Sequence, residues 1–165
     1  MPSAVTRGFV GQVHPASNST LLYLPDGRYI SYRAQQHPGY ESDQFRLMLY
    51  DRKTGQRKNL TEGFDQWVGT FAWLPNSSRI YFSAGESGDA PLFRIGVDDP
   101  AILQIIRGTY DDLNFTSDGR ALVVTQNSIA FPIRIEACDA KRFLIEPIFE
   151  AQPGEPGPAG HGKIA

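Results

Sequence analysis

The chain has 165 residues with 18 acidic and 16 basic side chains, a net charge of -2, and 41% hydrophobic residues. This length and composition suit one soluble domain with a buried core, and the near-balanced charge argues against a nucleic-acid partner. A single cysteine, Cys138, excludes an intrachain disulfide framework and a cysteine-based zinc site. The sequence has no run of about 18 apolar residues, so it predicts no membrane span.

The N-terminus is expected to be irregular over residues 1–18. Its first eleven residues lack the basic flank and long apolar stretch of a signal peptide, so the sequence predicts none. The compartment is left open between cytoplasm and periplasm.

A nine-residue pattern then recurs along the chain. Leu24–Tyr32 reappears as Leu74–Phe82 and as Thr116–Val124, and the numbers of Asp26, Asn76 and Asp118 give spacings of 50 and 42 residues. Strand-rich units with a period of about 40–50 residues are typical of propeller blades.

Each unit shows four short strand signals around a Pro-Asp-Gly type turn. The predicted fold is therefore all-β, with about three four-stranded antiparallel blades of an incomplete β-propeller over residues 19–150 (blades about 19–63, 64–108 and 109–150). No segment has a helical period. Residues 151–165 are expected to form a disordered Gly/Pro-rich tail.

The turn of the second unit lacks the glycine of the other two. Leu74 is followed by Pro-Asn-Ser-Ser, with Ser77 in the place of Gly27 and Gly119. Because glycine accepts positive φ without steric cost, the sequence predicts a longer turn, or one of another type, in this unit. Trp67 and Trp73 are expected to pack between blades.

The middle of the chain resembles a known family. The runs that carry the resemblance are Pro25–Arg33, Pro38–Asp43, Leu49–Gly55, Asn59–Asp65 and Ile80–Phe82. Over about residues 20 to 137 the chain is similar to the propeller of bacterial dipeptidyl and acylaminoacyl peptidases of the prolyl oligopeptidase family. TolB-like propellers share the Pro-Asp-Gly repeat.

The resemblance implies a substrate-gating role. In that family the propeller caps a separate α/β-hydrolase domain that holds the catalytic serine, aspartate and histidine, and it admits peptides but not folded proteins. This sequence contains no Gly-x-Ser-x-Gly motif, so we expect the chain alone not to hydrolyse peptides. Its partners would be peptides and the hydrolase domain of the parent protein.

Two other interpretations remain at this stage: a TolB-like protein-binding module, or a gene fragment without a function. A propeller ring usually needs at least four blades of about 40–45 residues, so three predict an incomplete ring. Its open blade edges would favour self-association.

The loop from Gln35 to Gln44 is the candidate binding site. It contains Tyr40 and Glu41, and the resemblance to peptidases makes them candidate substrate-binding residues. The carboxylate would hold the free α-amino group of a peptide while the tyrosine packs beside it. The alternative is a solvated hairpin loop.

The other chemistry-bearing motifs favour structural interpretations. Gly85–Pro91 resembles a serine-protease nucleophile segment but is interpreted as a turn. The pairs Asp98–Asp99 and Asp111–Asp112 lack the spacing of a calcium loop and are interpreted as turn caps. Cys138 is interpreted as a buried small residue. No metal, cofactor or catalytic residue is predicted.

Overall fold

The computed structural model describes residues 21–35, 43–85, 87–130, 132–140 and 145–150. In this part of the chain all regular structure is β-strand, arranged as three separate four-stranded antiparallel sheets. The all-β prediction and the four strands of each predicted blade are confirmed. No helix of the length and apolarity needed to cross a membrane occurs among these residues.

Each sheet is a meander whose strands follow chain order. The first sheet contains β1 (Leu22–Tyr23), β2 (Tyr29–Ala34), β3 (Arg46–Asp51) and β4 (Arg57–Asn59). The second contains β5 (Trp67–Trp73), β6 (Arg79–Gly85), β7 (Leu92–Gly96) and β8 (Leu103–Ile106). The third contains β9 (Thr109–Phe115), β10 (Ala121–Asn127), β11 (Arg134–Asp139) and β12 (Ile145–Glu150).

Two apolar clusters hold the three sheets together. Alternating residues of each strand face the neighbouring sheet, which is why the β-branched and aromatic runs of the sequence end up between sheets. Between the first and second sheets the cluster contains Leu47, Leu49, Phe71, Ile80 and Phe82, among others. The second and third sheets meet through Tyr81, Leu92, Tyr110, Leu122 and Val124, with further residues around them.

The two tryptophans contact the first sheet from β5. The Trp73 ring is buried and its Nε1 donates to Ser31 Oγ across the sheet interface at 2.7 Å. Trp67 is more exposed and packs edge-on against Phe45, with ring centroids 5.8 Å apart. The prediction of packing between blades is confirmed for Trp73, whereas Trp67 contacts Phe45 but is 42% exposed.

The turn of the second unit is the same as the other two, and the prediction of a different turn was wrong. Leu74 N donates to Arg79 O and Ser77 N to Leu74 O, just as Leu24 pairs with Tyr29 and Gly27 in the first unit. Ser77 has φ +61°, close to the +71° of Gly27. The Ser77 hydroxyl accepts a hydrogen bond from Asp26 N in the preceding turn, and this contact helps to offset the strain of a positive φ.

Candidate functional site

A polar cluster joins the first strands of adjacent sheets. β5 and β9 contact each other, and Thr70 Oγ1 of β5 donates to Asp111 Oδ1 of β9 at 2.7 Å. In a propeller the sheets surround a central channel. We call the first strand of each sheet its inner strand. We define the inner-strand cluster as the six polar residues at this junction: Arg33, Thr70, Ser83, Asp111, Asp112 and Thr125.

Both inner strands carry a β-bulge at the cluster. In β5 the register shifts between Val68 and Phe71. In β9 it shifts between Asp111, which pairs with Thr125, and Asn114, which pairs with Val123. The second bulge leaves Asp112 with φ +52°. A bulge interrupts the alternation of side chains along a strand and re-aims them, so it can bring polar groups to a position that a regular strand would give to apolar ones.

Gly69 permits the bulge of β5. A Cβ at this position would lie 2.5 Å from Ser83 Oγ, which accepts a hydrogen bond from Thr70 N at 3.1 Å. Gly69→Ala is therefore expected to displace the Ser83 hydroxyl, break this bond and lower the free energy of unfolding by about 1 kcal/mol. Chemical denaturation of both proteins measures the difference.

Gly85→Ala is the matched control, since a Cβ there meets nothing within 4 Å. It is expected to leave the stability unchanged. Equal stabilities of the two variants would show that Gly69 is not needed for the close approach to Ser83.

Arg33 brings a cation from the first sheet to β5. Its Nη1 donates to Gly69 O at 3.0 Å and to Val68 O at 3.4 Å, and its guanidinium lies 5.2 Å from the centre of the Phe45 ring. Desolvation lowers the pKa of Arg33, while the negative charge of Asp111 acts in the opposite direction. The group stays ionised because an arginine pKa begins so far above neutrality.

Two exposed carboxylates complete the cluster. Asp111 Oδ1 accepts from Thr70 Oγ1 and from Asp112 N, and Asp112 Oδ2 accepts from Thr125 Oγ1 at 3.2 Å. Adjacent ionised carboxylates at an exposed strand favour positively charged groups, such as an ammonium ion. Within the cluster, Arg33 is such a group, and its positive charge interacts with the negative charge of Asp111.

Within the described residues, the inner-strand cluster pairs no histidine with Ser83. Ser83 is buried and its hydroxyl is engaged with Thr70, and all three histidines of the sequence lie outside the described residues. The carboxyl, thiol and imidazole groups within the described ranges form no group of three or more that could hold a metal ion.

Tyr40 and Glu41, the predicted substrate-binding residues, lie outside the described residues. The segments that flank them are described: Gln35 Nε2 donates to Asp43 O at 2.8 Å, and Arg46 pairs with the Asp43 carboxylate at 3.3 Å. These contacts bring the two ends of the loop together. Gln35 comes two positions after Arg33, so the loop begins beside the inner-strand cluster.

The remaining motifs divide into confirmed and wrong interpretations. Asp99 Oδ1 accepts from Ala101 N at 3.2 Å, which confirms its role in a turn. Asp111 and Asp112 lie inside β9, so their interpretation as turn caps was wrong. β9 begins at Thr109, four residues before Leu113. A polar run of four residues before Leu113 gave no sign of a strand.

The surroundings of Cys138 and of the Gly85–Pro91 segment agree with the structural interpretations made from the sequence. Cys138 is buried, and desolvation raises the pKa of its thiol to about 11, which keeps it protonated at neutral pH. Ser87 and Gly88 have φ values of +50° and +95° in a turn that follows β6. Both interpretations from the sequence are confirmed for the described residues.

Comparison with known proteins shows homology to peptidases. The chain is 30% identical over 128 residues to dipeptidyl-peptidase 5 of Porphyromonas gingivalis, a match that covers 74% of this chain. It is 32% identical over 139 residues, 84% of this chain, to dipeptidyl-peptidase 5 of Porphyromonas endodontalis. The matched region is 19% of the length of each relative. No family model matches the chain.

Solved structures show the same fold at low sequence identity. The β-propeller domain of the trilobed protease from Pyrococcus furiosus superimposes with a TM-score of 0.61 and 12% identity, covering 82% of this chain and 43% of that one. TolB from Acinetobacter baumannii gives a TM-score of 0.59 and 18% identity, covering 78% of this chain and 32% of that one. The three sheets are thus blades of a β-propeller.

Proposed function

Since most of the chain is homologous to a part of dipeptidyl-peptidase 5, we propose that it forms part of the propeller of a dipeptidyl peptidase of the serine type. The observation that carries the proposal is the 32% identity to the Porphyromonas endodontalis enzyme across 84% of this chain. In this proposal a separate hydrolase domain performs the chemistry, and the propeller controls which substrates reach it.

The packing of the sheets supports a role in limiting access. The blades contact each other through continuous apolar clusters, and their first strands approach at β5 and β9. A wall of this kind resists separation because each sheet would have to expose buried apolar surface. A narrow passage along its inner strands would admit an extended peptide and exclude a folded protein.

The charge of the inner strands supports a role in peptide binding. Asp111 and Asp112 are exposed carboxylates of the inner-strand cluster, and the loop with Tyr40 and Glu41 begins two positions after Arg33, another member of that cluster. In the proposal the Glu41 carboxylate accepts hydrogen bonds from the α-ammonium of a substrate and Tyr40 packs against its first side chain. A dipeptidyl peptidase needs such an anchor because it cuts at a fixed distance from a free N-terminus.

The test uses the full-length peptidase that contains this segment. Glu41→Gln is expected to raise KM for a chromogenic dipeptide amide about 10- to 100-fold, with a smaller change in kcat, because a hydrogen bond to a charged group contributes about 1.5–3 kcal/mol. Glu62→Gln, at an exposed position between β4 and β5, is the control and should leave KM unchanged.

The outcomes separate two parts of the proposal. If the protein releases dipeptides but Glu41→Gln has the KM of the wild type, Glu41 is not the anchor. If it releases no dipeptide from any substrate, the peptidase assignment fails. Limited access predicts that the protein cleaves short peptides but leaves a folded protein with the same N-terminal residues intact.

A further inference from the structure

An exposed tryptophan lies at the start of β5, the inner strand of the second sheet. Trp67 is 42% exposed, whereas Trp73, at the other end of the strand, is 7% exposed. Both sheets beside Trp67 belong to the chain, so further blades, which would join at the first and third sheets, add no neighbour at this interface. An exposed indole forgoes part of the free energy of apolar burial, and aromatic rings are common in ligand-binding surfaces.

The orientation of the Trp67 ring is set by the side chains stacked behind it. Phe45 meets the indole edge-on, with centroids 5.8 Å apart and planes at 80°, and we call Trp67 and Phe45 the ring pair. The Arg33 guanidinium lies 5.2 Å from the centre of the phenyl ring, and Val68 N donates to Phe45 O at 3.0 Å. Because Phe45 is held through its side chain and its backbone, the pair is ordered before a ligand arrives and loses less conformational entropy on binding.

The space on the β6 side of Trp67 is open. Trp67 pairs with Gly85 in the register of β5 and β6, and directly paired residues project on the same side of a sheet. A Cβ at Gly85 would meet nothing within 4 Å. A larger residue at this position would cover the indole, so the glycine leaves room for a ligand side chain against the ring.

The candidate binding loop, which contains Tyr40 and Glu41, begins and ends beside the ring pair. Gln35 Nε2 donates to Asp43 O at 2.8 Å, and this bond holds the two ends of the loop together. Phe45 follows Asp43 by two positions, and Arg33, which contacts its ring, precedes Gln35 by two. A peptide whose α-ammonium is held by this loop is expected to place its first side chain near the ring pair, since both groups branch from the same Cα.

The chemistry of the ring pair favours an uncharged apolar side chain. Two aromatic rings with open space beside them offer dispersion and edge-to-face contacts, which an aromatic ligand uses best. Arg33 already places a positive charge on Phe45, and a second cation on the pair would be repelled. A phenylalanine side chain therefore suits this surface better than a lysine side chain does.

We propose that Trp67 and Phe45 form the subsite for the first side chain of the substrate, and that this subsite selects apolar and above all aromatic residues. The inference rests on the proposed function, because it requires a peptide bound by its N-terminus. In this assignment Trp67 determines specificity: it contacts the substrate and takes no part in the chemistry. Tyr40 packs against the same side chain from the loop.

Steady-state kinetics of the full-length peptidase that contains this segment tests the subsite. Three chromogenic dipeptide amides that differ only in the first residue are compared: Phe-Ala, Ala-Ala and Lys-Ala. Trp67→Ala is expected to lower kcat/KM for Phe-Ala about 10-fold and that for Ala-Ala less than about 2-fold, because only the larger side chain reaches the ring. Trp67→Phe, which keeps an aromatic ring, should recover most of the loss.

Gly85→Val tests the same surface without removing the indole. The new side chain fills the open space beside Trp67, so kcat/KM for Phe-Ala should fall at least about 5-fold while that for Ala-Ala stays near the wild-type value. Leu103→Ala, at an exposed apolar position of β8, is the matched control and should leave all three values unchanged.

The outcomes separate the subsite from the function on which it rests. A peptidase that releases dipeptides, but whose Trp67→Ala variant keeps the wild-type ratio of Phe-Ala to Ala-Ala, overturns the subsite and leaves the proposed function intact. An equal loss on all three substrates overturns the subsite as well, since Trp67 would then only support the fold, and so does a loss confined to Lys-Ala. Absence of dipeptide release from every substrate refutes the proposed function, and the subsite with it.

Discussion

The Phe82→Ala variant is expected to have a free energy of unfolding about 3–5 kcal/mol below that of the wild type. Phe82 is fully buried between the first and second sheets, stacked on Phe93 at 5.6 Å and met edge-on by Phe64 at 5.8 Å. Removing the ring loses its transfer free energy and leaves a cavity that the sheets cannot close, because hydrogen-bonded strands on both sides fix their spacing.

Urea denaturation followed by tryptophan fluorescence measures this loss, since Trp73 belongs to the same apolar cluster. Phe82→Leu is the control, because it keeps most of the apolar volume and is expected to cost less than about half as much. A loss below 1 kcal/mol in the alanine variant would mean that the first two sheets do not pack through this ring.

The Glu136→Gln variant is expected to be more stable than the wild type at neutral pH, by about 1–3 kcal/mol. Glu136 is 5% exposed between the second and third sheets, and among the described residues its Oε2 has no hydrogen-bond partner. Desolvation raises the pKa of this carboxyl, against a smaller opposite effect of Arg134. An uncharged amide of the same size removes the cost of burying a charge.

The sign of the pH dependence follows from the raised pKa. Below the unfolded-state pKa, near 4.5, the carboxyl is neutral in both states and the wild type should be as stable as the variant. As pH rises through the native pKa, ionisation of the unfolded chain draws the equilibrium towards unfolding, and the wild type loses stability. The gap between the proteins should therefore open with increasing pH and then level off.

Thermal or urea unfolding of both proteins between pH 4 and pH 8 measures this gap. Glu146→Gln is the matched control, because that side chain is exposed and its replacement should be neutral across the range. A gap that stays constant with pH would show that Glu136 is not desolvated in the native protein. The nearby Tyr110, whose pKa desolvation and the Glu136 charge raise to about 12, remains neutral throughout.

The positions of the hairpins were predictable because their signals are local. The repeat of Leu24–Tyr32 at Leu74 and Thr116 marks one hairpin in each sheet, and those hairpins are present at β1–β2, β5–β6 and β9–β10. Alternation of apolar residues then identifies the strand that follows each turn. The same motifs carried the resemblance to peptidase propellers that the homology to dipeptidyl-peptidase 5 supports.

The inner-strand cluster was not predictable, for a physical reason. Asp111 and Asp112 interrupt the apolar pattern that reveals a strand, and they occupy β9 because a bulge there changes which residues face the core. Arg33 gave no signal of its own, since its carbonyl partners at Val68 and Gly69 lie in another sheet. The Tyr40 and Glu41 predictions remain proposals.

The sequence by itself determined the all-β repeat and the position of each hairpin. Those properties depend on residues a few positions apart. Tertiary structure alone decided that Ser77 adopts positive φ, that Glu136 Oε2 is buried without a hydrogen-bond partner among the described residues, and that the charge of Asp111 acts on Arg33. Each of these depends on what the adjacent sheet places beside the residue, and contacts between sheets join positions too far apart for a local pattern to record.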